Sequence, residues 1–323
     1  MIDFFALIDK LNPRIETIKN EGTMLPSDID YADSDSVLEE DTVENRSPCQ
    51  TIVFVDSRRR TFESINVLGY VMLLSQIVTG AVIYTDGKCN VLFSPDQGPE
   101  SKLVLAMPKK LAELIDLQEK SVEIGTLHCD VAVGNDAKTA LDSYMQQLEH
   151  NEVCKYIDDF LTIKDGSIDF ATPSFRVGRG PVGLVKNVQK AFVSLEVFKG
   201  YGSMKKAQRS KCIVTQLVGD DSLLRIMSYL KLVNNPGLKG LVRIETIVEE
   251  DRFQKTKYDI FETFNQLATT LSSLVDDHFF IPRTPEDTLP VIFLERCLDR
   301  YFYNQSYIHC ALVEGLRGRE AIL

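Results

Sequence analysis

Two short hydrophobic runs in this chain each stop on an aspartate: Thr51-Ile-Val-Phe-Val-Asp56-Ser57 and Phe160-Leu-Thr-Ile-Lys-Asp165-Gly166-Ser167. Apolar runs of this length, rich in β-branched and aromatic residues and ended by a turn residue, read as buried strands that deliver their last side chain to a sheet edge. Two such strands can hold two carboxylates side by side. Desolvated like charges repel, so the pairing is tolerable when a cation lies between them or one carboxyl is protonated. A divalent cation there would support hydrolysis of a phosphodiester. Taken alone, each aspartate also fits an ordinary turn closing a strand.

A third acid is expected from the helix before the second run. Residues 136–150 predict a helix leading into a strand over 157–165, and the two must run antiparallel. Six strand residues cover about 20 Å, or about 13 residues of helix. The acid level with Asp165 is then Asp142 rather than Glu149. The two share a helical face, so either side chain can turn toward the sheet, and both also fit a solvated helix surface. Basic clusters lie close by in sequence: Arg58-Arg59-Arg60 after the first aspartate, and Arg176 and Arg179 after the second. Lys205, Lys206, Arg209 and Lys211 crowd a later stretch. Such runs are usually solvated faces, but the first two adjoin the candidate site.

The elements that must position these residues suit one large domain. The chain has 323 residues, 44% hydrophobic and 26% charged, with no run approaching the ~20 apolar residues of a membrane span. The start, Met1-Ile-Asp-Phe-Phe, lacks the basic region of a signal peptide, so a cytoplasmic location is expected. The seven scattered cysteines form no C-x-x-C pair and read as reduced thiols. A net charge of −11 excludes a protein that coats DNA unaided, because non-specific affinity comes from neutralising phosphates with Lys and Arg.

Residues 3–20 predict a helix interrupted at Pro13, with an apolar stripe of Phe4, Phe5, Leu7, Ile8 and Leu11. Such a stripe can pack on its own domain or meet a partner. Residues 27–47 are acidic and poor in aliphatics, an exposed flexible segment. The expected division is therefore an N-terminal helical segment with an acidic loop, 1–48, and one domain over 49–323. Within the domain, strands are expected at 51–56, 80–85, 89–93, 122–133, 157–165, 182–186, 211–218 and 239–247. Helices are expected at 101–118, 136–150, 188–198, 221–231, 256–276 and 290–303. Thr85-Asp86-Gly87-Lys88 marks a hairpin. Mixed strands and helices with Asp-ended strands near the centre predict an α/β fold around a mixed central sheet flanked by helices, with helical additions.

Strand Asp56, a helical acid and strand Asp165-Gly-Ser together resemble the RNase H-like nucleases, and more particularly the NurA family of DNA-end-processing nucleases. Val182-Gly-Leu-Val-Lys186 resembles that family's Val-Gly-x-x-Lys segment, Leu241-Val-Arg243-Ile-Glu245 its Arg-hydrophobic-Glu strand, and Leu289-Pro-Val-Ile-Phe-Leu-Glu-Arg-Cys297 the start of its last helix. The match runs in order over roughly residues 50–300. The resemblance implies a metal-dependent deoxyribonuclease acting in DNA-end resection, repair or defence, with manganese or magnesium held by Asp56, Asp165 and Asp142 or Glu149. Lys186 would offset charge on the phosphate. It also implies a homodimer paired with a HerA-type hexameric ATPase that feeds it DNA. The chain departs from the family where Leu289 and Cys297 stand at its terminal Tyr and His, with Glu295, Asp299 or His309 nearby to compensate. Asp56 is also followed by Ser-Arg rather than Gly-Ser. These losses keep open a catalytically degenerate subunit that acts by binding partners.

Overall fold

The structure, a computed structural model, describes residues 2–8, 15–17, 30–31, 47–168, 174–188, 190–217, 220–275, 286–315 and 321–322. The chain opens with β1 (Ile2–Asp3), α1 (Phe4–Ile8), β2 (Ile15–Thr17) and β3 (Asp30–Tyr31). β4 (Thr51–Val67) and β5 (Tyr70–Thr85) then form a long antiparallel hairpin. β6 (Lys88–Val91) folds back on β5 across Asp86-Gly87, both at positive φ, as an Asp-Gly hairpin requires. β7 (Glu100–Pro108), α2 (Lys109–Leu114), β8 (Ser121–Ile124) and β9 (Leu127–Gly134) follow, β7 antiparallel to β5 and β9 parallel to β7. α3 (Ala137–Cys154) is capped by Asp136, whose Oδ1 accepts from the Thr139 N–H at 2.8 Å. It leads to β10 (Leu161–Asp165), parallel to β4, and β11 (Val182–Val185), parallel to β10.

After β12 (Lys190–Ala191), which pairs with β3, and α4 (Leu195–Gly200), a meander of β13 (Ile213–Leu217), β14 (Asp220–Lys231) and β15 (Leu241–Glu249) joins β11 through β15. α5 (Glu250–Ser273), α6 (Leu289–Leu298), α7 (Gln305–Gly315) and β16 (Ala321–Ile322) complete the chain. The main sheet runs β1-β8-β9-β7-β5-β4-β10-β11-β15-β14-β13.

Alternation along β4 sorts the core. Val53 and Val55 pack with Val153 and Ile157 on the α3 side, whereas Ile52 and Phe54 pack with Phe264, Leu294 and Leu298 of α5 and α6. The expected α/β class, a mixed sheet with helices on both faces, is what the chain forms.

Several elements differ from the sequence reading. The first part of 101–118 is strand and only Lys109–Leu114 is helix, because Leu103-Val-Leu-Ala-Met107 is buried on both faces between β5 and β9 and so shows no alternation. Residues 221–231 belong to β14 for the same reason, enclosed by β13 and β15. The helix expected at 188–198 is confined to α4, and the final helix ends at Leu298 with α7 as an addition. At the N-terminus, β1 pairs with β8, and Phe4, Leu7 and Ile8 are buried beside Ile65, Leu105 and Ile308. Phe4, Leu7 and Ile8 of the stripe thus pack on their own sheet. Leu11, Pro13 and nearly all of the acidic stretch 27–47 lie outside the described residues. Among the described residues no helix is long and apolar enough to cross a membrane, and the seven cysteines are unbridged.

Candidate active site

The parallel register of β10 on β4 pairs Leu161 with Ile52, Thr162 with Val53, Ile163 with Phe54 and Lys164 with Val55. One step further, Asp165 stands level with Asp56, and neighbouring strands in register turn both side chains to one face. That is the α6 face, shared with Phe54 and Ile163.

Asp56 is only 6% exposed. Its Oδ1 accepts from the Ser57 N–H at 2.8 Å, while Oδ2 is buried with no hydrogen-bond partner. Burial first, then the Asp165 and Glu149 charges, pushes the Asp56 carboxyl well above the usual carboxylate range, against the pull of Lys186. Asp165 is raised as well, by burial above all; Lys186 opposes the rise, and Glu295 and Asp287 add to it. Lys186 Nζ bridges Asp165 Oδ2 at 2.8 Å and Asp287 Oδ1 at 3.0 Å. Burial alone would lower its pKa, but Asp165, Asp287 and Asp56 outweigh that and hold the ammonium above its ordinary value.

Lys164 alternates to the opposite face from Asp165. Its Nζ meets Glu149 Oε2 at 2.9 Å and the Ser167 carbonyl at 2.9 Å, and both charged side chains are almost fully enclosed. Burial raises the Glu149 carboxyl, Lys164 pulls it down, and Asp165 pushes it up again. Glu149 therefore reaches the aspartates around the end of β10, from the α3 side. Among the described residues no three Asp, Glu, His or Cys side chains are gathered closely enough to hold a metal between them.

Asp142, favoured on sequence as the third acid, stands apart. Its side chain is about half exposed and pairs with Arg59. The strand begins at Leu161 rather than 157 and the helix runs on to Cys154, so the span that set Asp142 level with Asp165 was too long. Arg59 lies three residues beyond Asp56 along β4, about 10 Å; Asp142 lies seven residues before Glu149 along α3, also about 10 Å. The acid level with the aspartates is thus Glu149.

α6 contributes Glu295, 9% exposed, whose charge acts on both aspartates. Arg58 holds it, with Nη1 3.2 Å from Glu295 Oε1 and Nε 3.3 Å from Asp299 Oδ1. His309 is elsewhere, its Nδ1 3.1 Å from Glu63 Oε1, well along β4 from Asp56. Leu289 is exposed, and Cys297 lies about 200° around α6 from Glu295. Neither residue shares the face that Glu295 turns to the carboxylates. Asp287 and Lys164 escaped the sequence reading. The second carried a signal, since a lysine inside a buried strand must find a carboxylate.

A cleft of ≈ 580 Å³ borders Asp56, Glu149, Asp165 and Lys186, with Arg225 and Arg243 on its far wall. Both guanidinium groups lie over the Phe192 ring, 5.9 and 5.1 Å from its centroid. Fully buried Glu245 fixes this wall: Oε2 accepts from Arg243 Nε at 2.8 Å, and Oε1 accepts from the Ser167 hydroxyl at 2.5 Å and the Ile168 N–H at 2.9 Å. Gly183 lies opposite Glu245, where a Cβ would fall 2.8 Å from the Gly166 carbonyl oxygen. The other basic runs have structural work. Arg176 pairs with Asp158, and the Arg179 carbonyl accepts from Thr162 N–H near the start of β10, away from Asp165. Arg209 is buried, donating to Asn265 Oδ1 at 2.6 Å.

Fold and site together define an α/β protein with one buried and one partly buried carboxylate at equal register on neighbouring parallel strands. No family model matches the sequence, and no curated protein does either. Among solved structures the chain is similar to the crystal structure of the NurA nuclease from Sulfolobus solfataricus, at 12% identity and a TM-score of 0.43, over 86% of this chain and 87% of that one.

Proposed function

We propose that the protein is a divalent-metal-dependent nuclease that hydrolyses phosphodiester bonds of DNA, with Asp56 and Asp165 at its centre. The observation that carries this reading is the pair itself. A buried Asp56 with an orphaned oxygen, and at the same register level an Asp165 whose side chain is only 16% exposed, cost stability that a purely structural role does not return. The donors fit manganese or magnesium, because carboxylate oxygens are hard ligands and Asp56 Oδ2 is a buried acceptor without a partner. Asp56 and Asp165 would hold the ion, with Glu149 or Glu295 as the adjoining acid. Bound there, it would supply a hydroxide nucleophile and Lewis-acid stabilisation of the phosphoryl oxygens.

The chain's own groups do the remaining work. Lys186 keeps a proton and a positive charge at Nζ beside Asp165, where it can offset charge developing on a phosphate. Arg225 and Arg243 offer donors from the opposite wall, and a guanidinium suits phosphate oxygens. Part of the same proposal, supported by the family resemblance alone, is a homodimer working with a HerA-type hexameric ATPase, which would supply the basic DNA path that a chain of net charge −11 lacks.

One observation favours a second reading. Lys186 and Lys164 already neutralise Asp165 and Glu149, as a degenerate site kept in a partner-binding subunit would require. End-labelled DNA incubated with manganese or magnesium, with and without the ATPase, separates the two. Cleavage that a chelator abolishes supports the nuclease. Intact DNA under every condition, with folded protein, supports the subunit reading.

A further inference from the structure

A second cleft, ≈ 310 Å³, is lined by Ser101, Lys102, His128, Asp130, Tyr303 and Tyr307 among others. The two tyrosines are 46% and 51% exposed, their ring centroids 6.0 Å apart and the planes tilted by 49°. Large side chains this open, held in a fixed place, present π-faces to whatever enters. The Tyr303 N–H donates to Gln76 Oε1 at 2.7 Å, and Gln76 Nε2 donates to the Tyr301 carbonyl at 3.0 Å and the Ser101 hydroxyl at 2.8 Å. Gln76 is itself fully buried, so the tyrosine segment is pinned to the sheet. Asp130 is set in the cleft wall by the Tyr144 hydroxyl at 2.7 Å and Lys102 Nζ at 3.9 Å.

The cleft is joined to the carboxylates by one strand. Asp56, Arg58 and Arg60 alternate to the same face of β4, and Arg60 pairs in register with Gln76. The Arg60 guanidinium lies 4.5 Å from the centroid of Phe302, the residue before Tyr303. From Asp56 to Arg60 the strand advances roughly 13 Å.

We propose that this cleft is a base-stacking subsite for a single-stranded nucleic acid, taking unstacked bases on Tyr303 and Tyr307 while the backbone passes Arg60 and Arg58 toward Asp56. The ligand class rests on the nuclease reading above. Stacking suits an acidic chain, because it draws on the π-face that every base has and does not require a net positive surface.

The test is fluorescence anisotropy of a labelled oligothymidine, and of a matching duplex, with the full-length protein in chelator so that nothing is cut. Tyr303→Ala and Tyr307→Ala should each weaken single-strand binding about tenfold, in line with the loss of one stacked base. Tyr303→Phe and Tyr307→Phe should bind as the wild type does, and duplex affinity should stay unchanged in all variants. Alanine variants that bind oligothymidine like the wild type would overturn the proposal, as would a wild type that does not bind it. A change in self-association with unaltered oligonucleotide binding would assign the cleft to a protein contact and overturn it as well. Loss of single-strand binding in a protein that never cuts DNA with manganese or magnesium would sink the nuclease reading and leave the subsite standing.

Discussion

At the scale of residues, the site is a problem of unbalanced charge solved with two lysines and an orphaned oxygen. Glu149, not Asp142, stands level with the aspartates, so the two acids should separate under mutation. Glu149→Gln is expected to lower metal-dependent cleavage by about 10²-fold or more, within the range that general acid–base and ligand groups contribute. Asp142→Asn should leave it within about twofold, as expected for an exposed ion pair. Equal losses would restore Asp142 to the site. The raised carboxyls also set a pH dependence. Asp56 and Asp165 bind protons more tightly folded than unfolded, so their favourable contribution is complete at acid pH and is lost as pH rises through their raised values. In chelator, Asp56→Asn should therefore match the wild type near about pH 4. It should exceed it at neutral pH by on the order of 1–3 kcal/mol, the cost of an uncompensated buried polar group. Thermal melts across this range check the sign, and a gap independent of pH would show that charge is not its cause.

At the scale of elements, what was legible depended on whether a pattern is local. The strand bearing Asp165 announces itself because a short β-branched run ends on a turn residue, whereas the strand expected to stop at Asp56 runs on to Val67, held by its pairing with β5, so Asp56 lies within it. The Asp86-Gly87 hairpin is legible because Asp-Gly takes the two positive φ angles its turn needs. β7 and β14 were not legible as strands, because Leu103–Met107 and Leu223–Leu230 are enclosed by neighbours that only the tertiary fold supplies, and Leu and Met favour helix in isolation. The third acid failed for a related reason, since its level depends on where α3 ends and β10 begins, and boundaries are the weakest part of any sequence reading. Burial makes the N-terminal segment structural. Phe4→Ala should cost about 3–5 kcal/mol in urea unfolding, the range for an emptied aromatic core site. A loss below about 1 kcal/mol would mean that α1 is dispensable to the core. Gly183→Ala should push on the Gly166 carbonyl and so disturb both the Glu245 wall and the end of β10 at Asp165, lowering cleavage of end-labelled DNA in manganese.

For the whole molecule, the balance of charge would govern how the proposed nuclease meets DNA. A chain of net charge −11 with its arginines largely engaged should bind duplex DNA weakly, with a shallow dependence on salt, because few phosphates are neutralised. A slope of log K against log salt corresponding to about two or three phosphates is expected; one near ten would reveal a basic surface that the described residues do not present. The carboxylate pair sits where the mixed sheet brings β4 and β10 together, flanked by α3 on one face and α6 on the other, so the proposed activity can be tested at one position. The most direct measurement is cleavage of end-labelled DNA by the wild type and by Asp165→Asn in the same manganese buffer, with circular dichroism confirming that the variant folds. The amide keeps the shape and removes the charge, so the account predicts cutting by the wild type and none by the variant. Undiminished cutting by a folded Asp165→Asn protein would contradict it.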